Sequence, residues 1–384
     1  MFRISARQIL AIAFASALFA ATFVFLFDRY GSRLLQRNGG AAFIETPPAG
    51  VTSPSVASDE QNNIEVYRAV SPGVVMVTSV SVSNDFFDPG EREGTGSGSV
   101  IDTEGHILTN NHVVEGAQKL SVSFGDSTYP ARIVGRDPDT DLAIIQVDAP
   151  REILKPVSFG DSDKLVVGQK VLAIGNPFGL SRTLTTGVIS GLQRPIRSRN
   201  GRLIEGALQT DASINPGNSG GPLLDTTGRI IGVNTMIYSP SGTSSGVGFA
   251  VPINIAKRIV PQLITSGRVV RPKLGIVPFN VGNIQARLPV DEGVGIYQVD
   301  PNGPAATAGL RGLQQDEGGD VVLGDIITAI DNEKIANGDD LYRVLDKHQF
   351  GDTVQVEVFR DGKRVRVPVR LTPTGTTGRR RLDE

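Results

Sequence analysis

Short β-branched or alternating runs, each bounded by turn-forming residues, recur along most of this chain. They read VVMVTSVSV from 74, SVSF from 121, LAIIQV from 142, KVLAIG from 170, TLTTGVIS from 183, RIIGVNTMI from 229 and GVGFAVP from 246. Their spacing, roughly 8–12 residues with turn signals between, is that of antiparallel sandwiches or barrels rather than of strands alternating with helices. A mainly β fold is expected. One helix stands out at 253–265, INIAKRIVPQLIT, closed by Gly267. Pro261 inside it is expected to kink or break it, because proline lacks the N–H and clashes with the preceding turn.

After a connector, SGRVVRP from 266, a second unit is expected over 273–372. Its strands are KLGIVPF, GVGIYQV, DIITAI, TVQVEVF and RVRVPVRL, and its helix is DDLYRVLDKH, where Leu341, Val344 and Leu345 form an i, i+3, i+4 stripe. The first globular unit is placed at 62–267, and the tail 373–384, ending in GTTGRRRLDE, is expected to be disordered. At the other end, residues 1–8 form a short flank and 9–27 carry no charge. An uncharged stretch of this length rises about 30 Å as a helix, enough for the hydrocarbon core of a bilayer. A transmembrane anchor is expected, with a cleaved secretory signal as the alternative, and 28–61, rich in Gly, Pro, Ser and Thr, reads as a flexible linker.

The formal net charge is −2 and the basic residues are scattered, which excludes nucleic acid as the expected partner. Cysteine is absent, so disulfides, thiol nucleophiles and thiolate metal sites are excluded. Neither histidine pairs nor carboxylate clusters occur at ligand spacing, and no metal or other cofactor is expected.

The stretch NPGNSGGP at 215–222 surrounds one serine with glycines. A serine hydroxyl needs a base to become a nucleophile, and attack on an amide builds an oxyanion that needs donors aimed in advance. Gly217, Asn218 and Ser219 are candidates for that hole, since glycine lets successive N–H groups turn inward. Of the three histidines, His348 falls in the second unit and His106 in a turn, whereas His112 follows an apolar strand in ILTNNHVVEGA. An orienting carboxylate completes the set. DPDTDLAIIQV offers Asp137, Asp139 and Asp141; Asp141, opening the strand, is the one most easily buried, and the other two flank Pro138 as turn caps.

TNNHVV, DLAII and GNSGGP, in that order, resemble the HtrA/Deg family of chymotrypsin-fold serine proteases, with support from IGNPFGL at 174 and GVGFAVP at 246. The resemblance spans about 62–372. It implies a chymotrypsin-like double β-barrel with His112, Asp141 and Ser219 in the cleft, and an oxyanion hole lined by Gly217 and Ser219. It also implies a specificity pocket near Ile214, Met236 and Ile237, shallow and apolar and suited to small aliphatic side chains.

KLGIV with the later helix resembles an α+β PDZ domain, which captures an extended C-terminus by strand addition. That resemblance makes Leu274, Gly275 and Ile276 the carboxylate donors and Leu341, Val344 and Leu345 the groove wall. DPNGPAATAGL, LGDIITAI and the loop RGLQQDEGGDVV are close to chloroplast Deg proteases, while no transit peptide is visible. A single PDZ-like unit behind an anchor resembles the anchored, DegS-like branch, usually homotrimeric. The loop SNDFFDPGEREG at 83 is short compared with the assembly insertions of some relatives. The expected activity is that of an envelope serine endopeptidase acting on misfolded or signalling proteins from the bacterial inner membrane, facing the periplasm and regulated by peptide C-termini. The alternative is a chaperone or adaptor that cuts little.

Overall fold

The computed structural model describes residues 56–83, 90–177, 182–215, 217–235, 246–283, 290–315, 318–319 and 321–372. The expected anchor at 9–27, the tail at 373–384, and Met236 and Ile237 lie outside them. Among the described residues no helix is long and apolar enough to cross a membrane.

A first helix, α1 (Val56–Val70), precedes twelve strands that close into two six-stranded antiparallel barrels. The first barrel comprises β1 (Val74–Ser83), β2 (Gly90–Val100), β3 (His106–Asn110), β4 (Lys119–Phe124), β5 (Ser127–Asp137) and β6 (Leu142–Val147), in the order β1-β2-β3-β6-β5-β4. The short helix α2 (Asn111–Val114) follows β3. The second comprises β7 (Lys170–Gly175), β8 (Thr183–Arg197), β9 (Leu203–Thr210), β10 (Pro222–Leu224), β11 (Ile230–Thr235) and β12 (Gly248–Pro252), closed in the same order.

The apolar runs are continuous where strands are buried on both faces. Along β6, Ala143 and Ile145 join the interior cluster of the first barrel, while Leu142 and Ile144 turn outward into a larger core shared with the second. On β7, Val171 and Ala173 point inward and Leu172 and Ile174 outward into that same shared core. Period-two alternation therefore serves two cores at once, the barrel interior and the seam between barrels.

Helix α3 (Ile253–Ser266) seals the seam. Ile253, Ala256, Ile259, Val260 and Leu263 form its buried face, packed with Leu108 and Ile144 of the first barrel and Val233 and Val251 of the second. Its backbone lies so close to β5 that a Cβ on Gly135 would sit 2.4 Å from the Leu263 carbonyl oxygen. The helix runs through Pro261 without the expected break and stops at Gly267, whose φ of 71° and N–H bond to the Leu263 carbonyl form a left-handed cap. Helix α1 is an element that the sequence reading placed partly in the linker. Val66 and Val70 pack into the shared core, and Asn62 donates to the Thr226 carbonyl at 2.9 Å.

The second unit is a sheet of β13 (Ile276–Asn280), β14 (Val294–Val299), β17 (Ile326–Ile330), β19 (Thr353–Arg360) and β20 (Lys363–Arg370). A separate two-stranded ribbon, β15 (Gln314–Gln315) and β16 (Val321–Val322), stands apart, and β18 (Glu333–Lys334) pairs with β17. Helices α4 (Pro304–Thr307) and α5 (Gly338–Leu345) complete the unit. Asp325 of LGDIITAI is buried, taking Arg360 Nε and Nη2 at 2.7 and 2.6 Å and the Arg311 N–H at 2.8 Å.

Arginines tie the sheet unit to the barrels. Arg271 forks onto Asp137 at 2.8 and 2.6 Å and reaches Asp139 at 3.3 Å, while Arg202 bonds Asp346 at 2.7 Å and stacks 4.2 Å over Tyr342. Burial opposes the Arg271 charge, but the Asp137 hydrogen bonds and the charges of Asp137, Asp139 and Asp346 outweigh it and raise its pKa. Asp137, expected as a turn cap, is thus a buried end of a fork.

Two outcomes follow. Ile144→Ala and Ile145→Ala should each lose about 2–5 kcal/mol in urea unfolding although their side chains serve opposite faces. Arg271→Ala strands the Asp137 carboxylate, a change of order 3–5 kcal/mol for a buried pair, and should appear as a lower Tm and faster limited proteolysis within 266–273.

Candidate active site

Ser219 sits in a loop folded tightly on itself between β9 and β10. Asn218 N–H donates to the Asn215 carbonyl at 3.0 Å, and Gly221 N–H to the Asn218 carbonyl at 3.0 Å. Gly217 adopts φ 99°, and a Cβ there would lie 2.2 Å from Cβ of Pro177, so only glycine fits. Among the described residues the N–H groups of Gly217 and Ser219 have no acceptor. Of the three residues expected to line the oxyanion hole, these two keep their donors available, while Asn218 has spent its own on Asn215.

His112 is the second residue of α2, directly beyond β3, and its ring is fixed by Asp141 in the turn before β6. Asp141 takes φ 57°, a left-handed conformation that aspartate tolerates better than most side chains. That backbone turn aims both ends of the residue at one segment. Its carboxylate accepts from His112 Nδ1 at 2.7 Å and from the His112 N–H at 3.0 Å, and its carbonyl accepts from the Asn111 N–H at 2.9 Å and Asn110 Nδ2 at 3.0 Å. With Nδ1 donating to the carboxylate, neutral His112 carries its lone pair on Nε2.

The carboxylate also accepts from the Thr235 hydroxyl at 3.0 Å, a bond from the second barrel to the first. Thr235 is the residue that sequence reading missed; the cue was a threonine ending a wholly buried strand. Its neighbour Asn234 holds the serine loop, accepting from Gly220 N–H at 2.8 Å and donating to the Gly221 carbonyl at 2.9 Å. Two consecutive residues of β11 thus join the histidine–carboxylate pair to the segment behind Ser219. Ser219 Oγ itself is buried and makes no hydrogen bond among the described residues, so the hydroxyl–imidazole bond is not made in this conformation.

All three histidines have carboxylate neighbours, so that feature alone does not single out His112. His106 Nδ1 lies 2.6 Å from Asp102, and His348 lies 3.5 Å from Asp331 and 3.7 Å from Asp352. Asp102, Glu104 and His106 do bring potential ligand atoms within 4.8 Å of one another. Their arrangement is that of a turn, in which Asp102 accepts from the N–H groups of Glu104 and His106.

Ile214 lies in the interior core of the second barrel, against Gly248. In the second unit, a cleft of about 1050 Å³ opens beside β13 and α5 and faces the barrels, with Leu274, Gly275, Ile276, Leu341 and Leu345 along it. Val344, expected on the groove wall, belongs to the core of that unit and is not on the cleft.

Residues 96–233 match the family model of the trypsin-like peptidase domain, and 272–371 that of the PDZ domain. The chloroplastic Protease Do-like 1 of Arabidopsis thaliana is 49% identical over 87% of this chain and 75% of its own length. A probable periplasmic serine endoprotease, DegP-like, of Marinomonas sp. is 40% identical over 73% of this chain and 58% of its own. Among solved structures, the HtrA-type protease AlgW with a decapeptide superposes with a TM-score of 0.62 at 30% identity, covering 81% of this chain and 98% of that one.

Asp141→Asn preserves the shape of the carboxylate but turns an acceptor into an amide that favours the wrong imidazole tautomer. Hydrolysis of a peptide substrate should fall by about 10³–10⁴-fold with the unfolding transition retained.

Proposed function

Because the chain belongs to the HtrA/Deg family of serine proteases, we propose that His112, Asp141 and Ser219 are its catalytic triad, acting by acyl-enzyme chemistry. The observation that carries this reading is the Asp141 carboxylate, which receives His112 Nδ1 and Thr235 from opposite barrels beside the serine loop.

In the first step His112 Nε2 takes the Ser219 proton as Oγ attacks the scissile carbonyl, and Asp141 stabilises the imidazolium that forms. The developing oxyanion is met by the N–H groups of Gly217 and Ser219. Protonated His112 then gives its proton to the leaving amine, and water, activated by the same imidazole, releases the acyl group from Ser219. The unbonded Ser219 hydroxyl is consistent with a resting state in which the imidazole closes on it only when substrate fills the cleft. A pocket for small aliphatic side chains near Ile214, Met236 and Ile237 is what the family resemblance assigns.

The trypsin-like unit spans 62–267 and the PDZ unit 273–372. The second captures peptide C-termini beside Leu274, Gly275 and Ile276 and regulates the protease, a reading supported by a cleft whose lining includes barrel residues such as Arg136 and Asp137. Misfolded or signalling envelope proteins are the substrates. The chain is anchored through 9–27 as a single-pass, homotrimeric, DegS-like protease with both units in the periplasm; cleavage of that segment would leave it soluble there.

Ser219→Ala should lower degradation of unfolded casein by at least about 10⁴-fold. Equal turnover by the variant would remove the triad assignment and favour an adaptor that binds without cutting. Fractionation of cells expressing the full chain, with most of it in the membrane pellet, is the result expected of the anchor.

A further inference from the structure

Ser97, in the middle of β2 and fully buried, touches the serine loop twice. Its hydroxyl donates to the Gly217 carbonyl at 2.5 Å and accepts from the Asn176 N–H at 2.7 Å. The roles are fixed by the partners, since a carbonyl only accepts and a backbone N–H only donates. Its own N–H donates to the Ser219 carbonyl at 2.8 Å, and its carbonyl accepts from the Thr109 hydroxyl at 2.7 Å. Every polar group of this residue is therefore engaged, and its partners lie on β3, just beyond β7, and on either side of Asn218.

The consequence is an orientation of peptide planes. The plane between Gly217 and Asn218 is held at its carbonyl by Ser97 and at its N–H by the Asn215 carbonyl. The plane between Ser219 and Gly220 is held at its carbonyl by the Ser97 N–H and at its N–H by the Asn234 carbonyl. Between them the Asn218 carbonyl accepts from Gly221, which turns the Ser219 N–H to the opposite side. Gly217, at φ 99° and without a Cβ, is the position at which this loop rotates most cheaply.

We propose that Ser97 is a positioning residue for the oxyanion hole: its hydroxyl pins the Gly217 carbonyl, fixing the peptide group that joins Gly217 to Asn218 and so limiting how far Gly217 can turn its own N–H, while its N–H pins the carbonyl of Ser219. The proposal rests on the assignment of Ser219 as nucleophile. Ser97 never meets substrate; it acts by keeping two donors aligned before charge develops.

The test uses the full chain as Ser97→Ala, Ser97→Thr and Ser219→Ala, with a fluorogenic peptide, a peptide aldehyde whose hemiacetal oxygen occupies the hole, and the matching peptide amide. For Ser97→Ala, kcat per folded molecule should fall about 10- to 100-fold, KM should stay within about twofold, and aldehyde affinity should fall in step with kcat while amide affinity holds. Ser97→Thr, which keeps the hydroxyl, should recover most of both. Unchanged kcat and aldehyde affinity in Ser97→Ala overturn the proposal, as does an equal loss of aldehyde and amide affinity. Should Ser97→Ala fail to fold, Ser97→Thr and Ser97→Cys decide: the thiol, a weak donor, should lose aldehyde affinity relative to the threonine, and equal affinity overturns the proposal. Full turnover by Ser219→Ala would instead remove the nucleophile assignment beneath it, whereas an inactive Ser219→Ala beside an unimpaired Ser97→Ala removes the Ser97 role alone.

Discussion

The apolar seam between the barrels fixes where His112, Asp141 and Thr235 meet. Leu108 on β3, Leu142 and Ile144 on β6, Leu172 and Ile174 on β7, and Ile230 and Val233 on β11 all leave their own barrel interiors to pack against one another. Burying one such side chain fully contributes roughly 1.5–3 kcal/mol, so a seam of this size holds β3 and β11 in contact. His112 follows the end of β3 and Thr235 closes β11. The hydrogen bonds that meet at Asp141 are thus a product of packing, which brings the ends of two strands from different barrels to one carboxylate.

Polar groups in this seam follow a different rule from the apolar ones. Ser97, Thr109, Asn110 and Asn234 are almost wholly buried, yet each bonds the backbone of another segment rather than only another side chain. A buried hydroxyl or amide left without partners costs about 1–3 kcal/mol. The loop bearing Ser219 needs such donors because its own turns satisfy only part of its backbone. The polar residues of the seam and the irregular loop explain each other.

Much of this was legible in the residues. The strand runs at 74, 142, 170 and 229 became strands because their burial pattern is strong, and Gly267 ended its helix because a left-handed cap requires little else. Chemistry narrowed the candidate histidine, carboxylate and serine, and the order of TNNHVV, DLAII and GNSGGP joined them into one set, of which His112 and Asp141 stand in hydrogen-bond contact. What was not legible depends on tertiary placement. The first turns of helix α1 are polar, SDEQNN, and its core contacts come from Val66, Tyr67 and Val70 near its end, so its beginning read as tether. Leu341, Val344 and Leu345 share one stripe, but which of them borders the cleft depends on how α5 rolls against β13; Val344 was drawn into the core. The loss of the Asn218 donor to Asn215 is set by a turn, and no side-chain pattern announces it.

Helix α3 lies beyond the second barrel in the chain but is wedged against β5 of the first, with its last residues bonded back through the Gly267 carbonyl to Arg136. The polypeptide is consequently laced: a late segment returns across an early one, and the two halves cannot splay like the jaws of a pincer without unthreading that brace. Opening the cleft would therefore have to break the packing of one helix against both barrels at once.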